Sequence, residues 1–249
     1  MLITYTNNNV HNLKTSIIKK FGYFPENIKL YSYYTFLYSF CYKPFLSMGL
    51  ATKGINFEPN LNKYAKKDSR AYYIDSNNRL YSSRISKLLI ESNEIPQQVT
   101  ERISKYFDFV FIDEVQDFGG NDFNLLKLIS KAEVSQLYVG DFFQHTFDTS
   151  RDGNVNSTLH DNFDNYKTQF EKMGLTLDSQ TLSKSYRCSP TICKFITEQL
   201  QISIESHKSD ETTITLIDNA EDAASIFNNP AIVKLFFKEH YKYDCFSRN

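Results

Sequence analysis

The run Phe107-Asp108-Phe109-Val110-Phe111-Ile112, set directly against Asp113-Glu114-Val115-Gln116-Asp117, constrains this chain more than any other stretch. A continuous apolar segment rich in aromatic and β-branched residues fits a strand buried on both faces, as in a parallel sheet covered by helices. Ending such a strand on adjacent carboxylates is unfavourable unless solvent, a cation or a ligand compensates the repulsion. The flanking sequence repeats a strand-helix rhythm. Leu2 to Thr6 reads as a strand, and Val10, Leu13, Ile17, Ile18 and Phe21 fall on one helical face closed by Gly22. Ile28 to Tyr33 reads as the next strand and Thr35 to Phe45 as a helix ending near Pro44. Asp122 to Ile129 predicts a helix and Gln136 to Gly140 another short buried strand ending at Asp141. Ser189 is an N-cap, with Pro190 in the first turn and Ile192, Phe195 and Ile196 on an apolar face. Thr213 to Ile217 predicts a further strand and Ala220 to Phe227 a helix. The polar residues from about 50 to 97 read as a small helical insertion or a long connection.

Alternating strands and helices predict an α/β fold with a parallel sheet, right-handed crossovers and a ligand site outside the carboxyl ends of the strands. Asp113-Glu114, Asp141, Arg187, Thr6-Asn7 and Ser32-Tyr33-Tyr34 all fall at or just beyond such ends. Lys and Arg total 28 against 29 Asp and Glu, so net charge neither announces nor excludes a nucleic-acid track. Cys41, Cys188, Cys193 and Cys245 form no CxxC pair and no zinc-spaced Cys/His set, so a reduced, cytoplasmic setting is the expectation. No apolar stretch approaches the roughly 20 residues that cross a bilayer, and no membrane partner is expected.

An Asp at the tip of a buried strand can hold Mg²⁺ against nucleotide phosphates, with the next Glu positioning water; equally, a bare Asp-Glu can simply end a strand. Three segments bear on the choice: Asp113-Glu114-Val115-Gln116-Asp117, then Val139-Gly140-Asp141-Phe142-Phe143-Gln144 beginning 22 residues after Asp117, then Ser185-Tyr186-Arg187-Cys188. Together they resemble motifs II, III and IV of the UvrD/Rep-like superfamily 1 DNA helicases. Thr4-Tyr5-Thr6-Asn7, with Leu13-Lys14 downstream, looks like motif Ia of that family, and Ser32-Tyr33-Tyr34-Thr35-Phe36 stands where its TxHxF motif Ib would be. The resemblance is dense over residues 3–36 and 107–196 and thin elsewhere.

The resemblance implies a RecA-like P-loop NTPase fold binding ATP and Mg²⁺ and running on single-stranded DNA. Asp113 would coordinate Mg²⁺, Glu114 activate water, Gln144 sense the γ-phosphate, and Asp141 lie in the same nucleotide site. Gln116 and Asp117 would couple that site to the DNA. Arg187 would place a positive charge on the transferring phosphoryl group, facing the acids across the crevice, and Tyr186 would stack on adenine. Tyr5, Thr6, Asn7, Ser32 and Tyr34 would contact single-stranded DNA through hydroxyls and base stacking. Core packing remains open for Tyr34, Tyr186 and Phe147, and a solvated surface role for Arg187. The implied organisation is a first RecA-like domain over 1–178, carrying a small inserted subdomain over 50–105, and an incomplete start of a second over 179–249.

The chain also departs from that family. None of its eight glycines precedes a Lys, so the phosphate-cradling GxxxxGK[ST] loop is absent, and motifs V and VI do not follow motif IV. Motif Ib lacks its His, and Phe147-Asp148-Thr149 stands where Trp-Arg-Gly is common. The expectation is a truncated piece of an ATP-dependent helicase, unable to hydrolyse ATP by itself. The alternatives are a non-catalytic DNA- or protein-binding module and a metal-dependent nuclease built on Asp113 and Glu114.

Overall fold

The computed structural model describes residues 1–59, 65–145, 149–150 and 154–234. Phe147, singled out above, lies outside the described residues. The chain divides into two compact units, Met1–Leu177 and Asp178–Asn249.

The first unit is an α/β layer structure whose four-stranded sheet is parallel throughout. Its strands are β1 (Leu2–Thr4), β2 (Leu30–Ser32), β5 (Phe109–Ile112) and β6 (Ser135–Tyr138), in the spatial order β2-β1-β5-β6. Register places Leu2 beside Leu30 and Phe111, and Ile112 beside Tyr138. The chain runs from central β1 outward to β2, returns to β5 on the other side of β1, and continues outward to β6. The point where strand order reverses therefore lies between β1 and β5, where open α/β sheets bind ligands beyond the strand ends.

α1 (Asn7–Phe21) starts on the Thr6 N-cap, whose hydroxyl accepts from the Asn9 N–H at 3.1 Å, and stops at Gly22, left-handed at φ 80° as the sequence requires. It packs along β1 and β2, yet none of its side chains is fully buried. The helical stretch after β2 runs differently from the expectation of an end near Pro44. α2 (Tyr33–Thr35) passes into a π-helix over Phe36–Tyr42, and then α3 (Lys43–Leu50) begins with proline in its first turn. The wider π turn, closed by Lys43 N–H to the Tyr38 carbonyl, lets Pro44 serve as the start of a new helix, where its missing N–H is harmless. It also turns Phe36, Leu37, Phe40, Cys41 and Tyr42 inward.

Residues 50–106 are more than a connection. They supply a parallel pair, β3 (Gly54–Asn56) with β4 (Arg79–Tyr81), a short α4 (Arg70–Tyr73), and helices α5 (Ile85–Glu91) and α6 (Ile95–Tyr106). Leu80, Ile85, Leu89, Val99 and Ile103 are completely buried and share one core with Ile3, Val110, Ile112 and, from α7 (Gly120–Ile129), Phe123, Leu125 and Leu126. These polar-looking segments escape the sequence reading because their apolar positions are spread over short elements.

The central strand corrects the opening expectation. β5 is buried on one face only: Val110 and Ile112 are in the core, whereas Phe109 and Phe111 are 54% and 39% exposed. Leu137 of β6, paired with Phe111, is 52% exposed on the same side, so β6 is not a buried strand either. Apolar composition alone cannot tell a strand covered on two faces from one covered on one.

The second unit holds β7 (Lys184–Ser185) paired in parallel with β8 (Glu205–Ser206), α9 (Pro190–Leu200) and α10 (Ala220–Asn228). α9 follows the predicted Ser189 cap, whose hydroxyl accepts from the Ile192 N–H at 3.3 Å. The strand expected over Thr213 to Ile217 does not form. That stretch pairs with no strand among the described residues, with Ile214, Leu216 and Ile217 exposed, because a β-branched run becomes a strand only when a neighbour supplies its ladder.

Candidate nucleic-acid cleft and acidic strand end

The carboxyl ends of β2, β1 and β5 stand side by side, and two features share that edge. Between the ends of β1 and β2 lies an open cleft of about 370 Å³. Its walls include all five residues implied for DNA contact, Tyr5, Thr6, Asn7, Ser32 and Tyr34. Sequence reasoning missed the other five: Thr35, Tyr38 and Ser39, which the π-helix and its approach leave facing outward, and Ile55 and Phe57 from the β3 segment. The tyrosines are held as a cluster. Tyr5 lies 6.1 Å from Tyr34 between ring centroids, and Tyr33 lies 5.6 Å from Tyr34. Burial pushes the Tyr5 and Tyr34 phenols above their ordinary range, with the nearby Asp122 charge adding to it, so both stay neutral. Ser32 Oγ and Thr35 Oγ1 are 2.8 Å apart on the rim.

The acidic end lies on the other side of β1. Thr4, fully buried and the last residue of β1, donates its hydroxyl toward Asp113 Oδ2 at 3.5 Å across the reversal point. Asp113 N–H bonds the Ile3 carbonyl at 2.9 Å, and Val115 N–H bonds the Val139 carbonyl at 3.0 Å, so the turn between them is tied to both neighbouring chains. Glu114 sits in that turn in the left-handed region, φ 57° and ψ 44°, a conformation that costs a non-glycine residue about 1 kcal/mol or more. Burial raises the Asp113 carboxyl above its usual value, the Glu114 charge adds to it, and the Glu114 N–H and Thr4 hydroxyl only partly oppose them. Asp117 is raised for the same first two reasons, with His145 opposing. Within this unit no lysine or arginine among the described residues pairs with either carboxylate.

Gln116 joins the acidic turn to the loop after β6. Its buried carboxamide donates to Glu114 Oε2 at 2.7 Å and accepts from the Asp141 N–H at 3.0 Å, while its backbone carbonyl meets His145 Nδ1 at 2.8 Å. Gly140 is what permits the approach. A Cβ there would stand 2.5 Å from Gln116 Oε1 and 2.8 Å from Val115 Cγ2. Asp141 in turn accepts from the Phe143 N–H at 3.0 Å and the Gln144 carboxamide at 2.8 Å. The γ-phosphate sensor implied at Gln144 is thus engaged with Asp141 in this structure. His145 and His160 stack at 3.6 Å, a contact no spacing in the sequence announces.

In the second unit Tyr186 is 74% exposed and stacked on His207 at 3.8 Å, while Arg187 is exposed at the start of the turn that leads into α9. Ser185 Oγ accepts from the Arg187 and Cys188 N–H groups at 3.2 and 3.0 Å, fixing that turn.

No group of three or more His, Cys, Asp or Glu side chains among the described residues is arranged to hold a metal ion. Magnesium does not require one, since it commonly takes one or two carboxylates and fills its remaining positions with water and phosphate. Asp113, half-buried, raised and next to a second acid, is a carboxylate that a cation would relieve. For nucleotide phosphates the 249 residues provide no glycine-rich cradle. No helix among the described residues is long and apolar enough to cross a membrane. Neither models of known protein families nor the curated proteins match this chain.

Proposed function

We propose that this chain is the single-strand-engaging part of a UvrD/Rep-like superfamily 1 DNA helicase, whose intact RecA-like motor moves along single-stranded DNA using ATP. The observation that carries the reading is that Tyr5, Thr6, Asn7, Ser32 and Tyr34, drawn from two separate loops, line one cleft beside the Thr4–Asp113 contact. Base stacking on tyrosines and hydroxyl contacts suit a strand whose bases are unpaired. In this reading Asp113 holds Mg²⁺, which would supply positive charge to nucleotide phosphates, and Glu114 sits beside it to orient water. Gln116 links that acid turn to Asp141 and the Gln144 loop, and Tyr186 and Arg187 belong to the nucleotide side of the second unit. With no phosphate cradle in these residues, no hydrolytic step is assigned to the 249-residue chain. The same absence favours a second reading, a non-catalytic module that holds DNA or a protein partner with this cleft.

The single-strand reading is tested by anisotropy titration of the chain with labelled oligo-dT and with duplex, alongside phosphate release from Mg-ATP. The helicase reading expects single strands to bind in preference to duplex, Tyr5→Ala to weaken that binding, and no DNA-stimulated turnover. Lack of any preference for single strands would remove it, and turnover by this chain alone would overturn the assignment of hydrolysis to residues outside it.

A further inference from the structure

The cleft carries more than the predicted contacts, because none of the ten described residues that line it is charged. Its polar atoms are hydroxyls and the Asn7 amide, and its apolar walls are three tyrosines, Phe57 and Ile55. Phosphate-gripping sites use Lys and Arg and release counterions when filled; a neutral aromatic and hydroxyl lining suits a base and its sugar instead. The volume of about 370 Å³ lies at the small end of the range for small-molecule pockets.

Phe57 is the least expected member. It is 64% exposed, yet its surroundings are pinned: Asn56 donates its amide to Asp75 Oδ2 at 2.9 Å and accepts from the Glu58 N–H at 3.0 Å. The ring meets Tyr34 at 5.0 Å and 87°, making a right-angled corner rather than collapsing into the core. We infer that Phe57 and Tyr34 form a base-binding corner that takes one unpaired nucleobase of single-stranded DNA, stacked on one ring and abutting the other. This rests on the single-strand reading above and adds to it a residue from the β3 segment and a subsite that grips no phosphate. A paired base cannot enter, so the corner itself discriminates against duplex.

The test is titration of the full chain with labelled oligo-dT over a range of salt, for wild type, Phe57→Ala, Phe57→Trp and Tyr34→Ala. Loss of one stacked base corresponds to roughly a 5- to 150-fold weakening. Phe57→Ala is expected to weaken oligo-dT binding within that range with an unchanged salt slope, while Phe57→Trp retains it; because the ring is exposed, thermal unfolding should not move. Wild-type-like affinity of Phe57→Ala, with Tyr34→Ala weakened, overturns the corner and leaves the single-strand reading standing. A weakening that comes with a slope reduced by about one, the signature of a lost phosphate contact, also overturns it. Failure of wild type to prefer oligo-dT over duplex removes the underlying reading as well.

Discussion

Gly140→Ala tests the link between the acidic turn and the loop after β6. The Gly140 backbone is outside the left-handed region, so alanine there would ordinarily stabilise by about 0.4–1 kcal/mol by restricting the unfolded chain. Here the new methyl would stand 2.5 Å from Gln116 Oε1 and 2.8 Å from Val115 Cγ2, well inside contact distance. The Gln116 carboxamide must move, breaking its bonds to the Asp141 N–H and to Glu114 at a site that is almost fully buried. Leaving buried partners unsatisfied costs about 1–3 kcal/mol per group. The net loss is about 1–3 kcal/mol, or roughly 3–10 °C in Tm for a chain of this size. Urea unfolding followed by circular dichroism measures it. The decisive arm is the double mutant. With Gln116→Ala the 2.5 Å clash is gone while the Val115 contacts at 2.8 and 3.1 Å remain, so Gly140→Ala should cost less than in wild type, a coupling of about 1 kcal/mol. Equal effects of Gly140→Ala in both backgrounds, or none in wild type, would refute the reasoning.

Three further outcomes follow from the same geometry. Leu89→Ala, in the completely buried face of α5, should cost about 2–5 kcal/mol in urea unfolding, whereas Met48→Ala on exposed α3 should cost under about 0.5. Asp122 is buried, and burial raises its carboxyl despite the Ser86, Thr149 and Tyr33 hydroxyls. The folded state therefore binds more protons than the unfolded, and stability drops as pH rises from the ordinary value of 3.8 through the raised one. Asp122→Asn should flatten that decline above pH 3.8, and an unchanged slope would count against it. Asp113→Asn removes a half-buried charge beside Glu114 and should raise stability by about 0.5–1 kcal/mol at neutral pH, the behaviour of a carboxylate kept for a ligand. A destabilised variant would instead make Asp113 a structural group.

Local chemistry made some elements legible and long-range coverage hid others. Gly22, Ser189 and Pro190 mark helix ends through their own backbone and side-chain preferences, so the end of α1 and the start of α9 could be read directly, whereas Thr6, which reads as the last strand residue, caps α1. The parallel sheet was legible from its strand-helix rhythm. The coverage of Phe109, Phe111 and Leu137 was not, because the exposure of a strand face depends on what lies across it. The same holds for Thr213 to Ile217, whose residues favour a strand that no neighbour completes. In the cleft, Tyr5, Thr6, Asn7, Ser32 and Tyr34 could be named through the motif resemblance, whereas Phe57 reaches it from a segment whose pattern looked like connection. Gly140 and Gln116 stand 24 positions apart, and only coordinates show that one leaves space for the other.

The left-handed turn at Glu114 bears on how this protein can drift. Glycine or asparagine would relax that backbone at once, and a single base change converts a glutamate codon into one for glycine. Random substitution thus has a short, stability-improving exit from this position, and a lineage released from the demands on its carboxylate should take it. The residue found at 114 in sister chains is therefore a running gauge of whether the acid still matters, readable without purifying any of them.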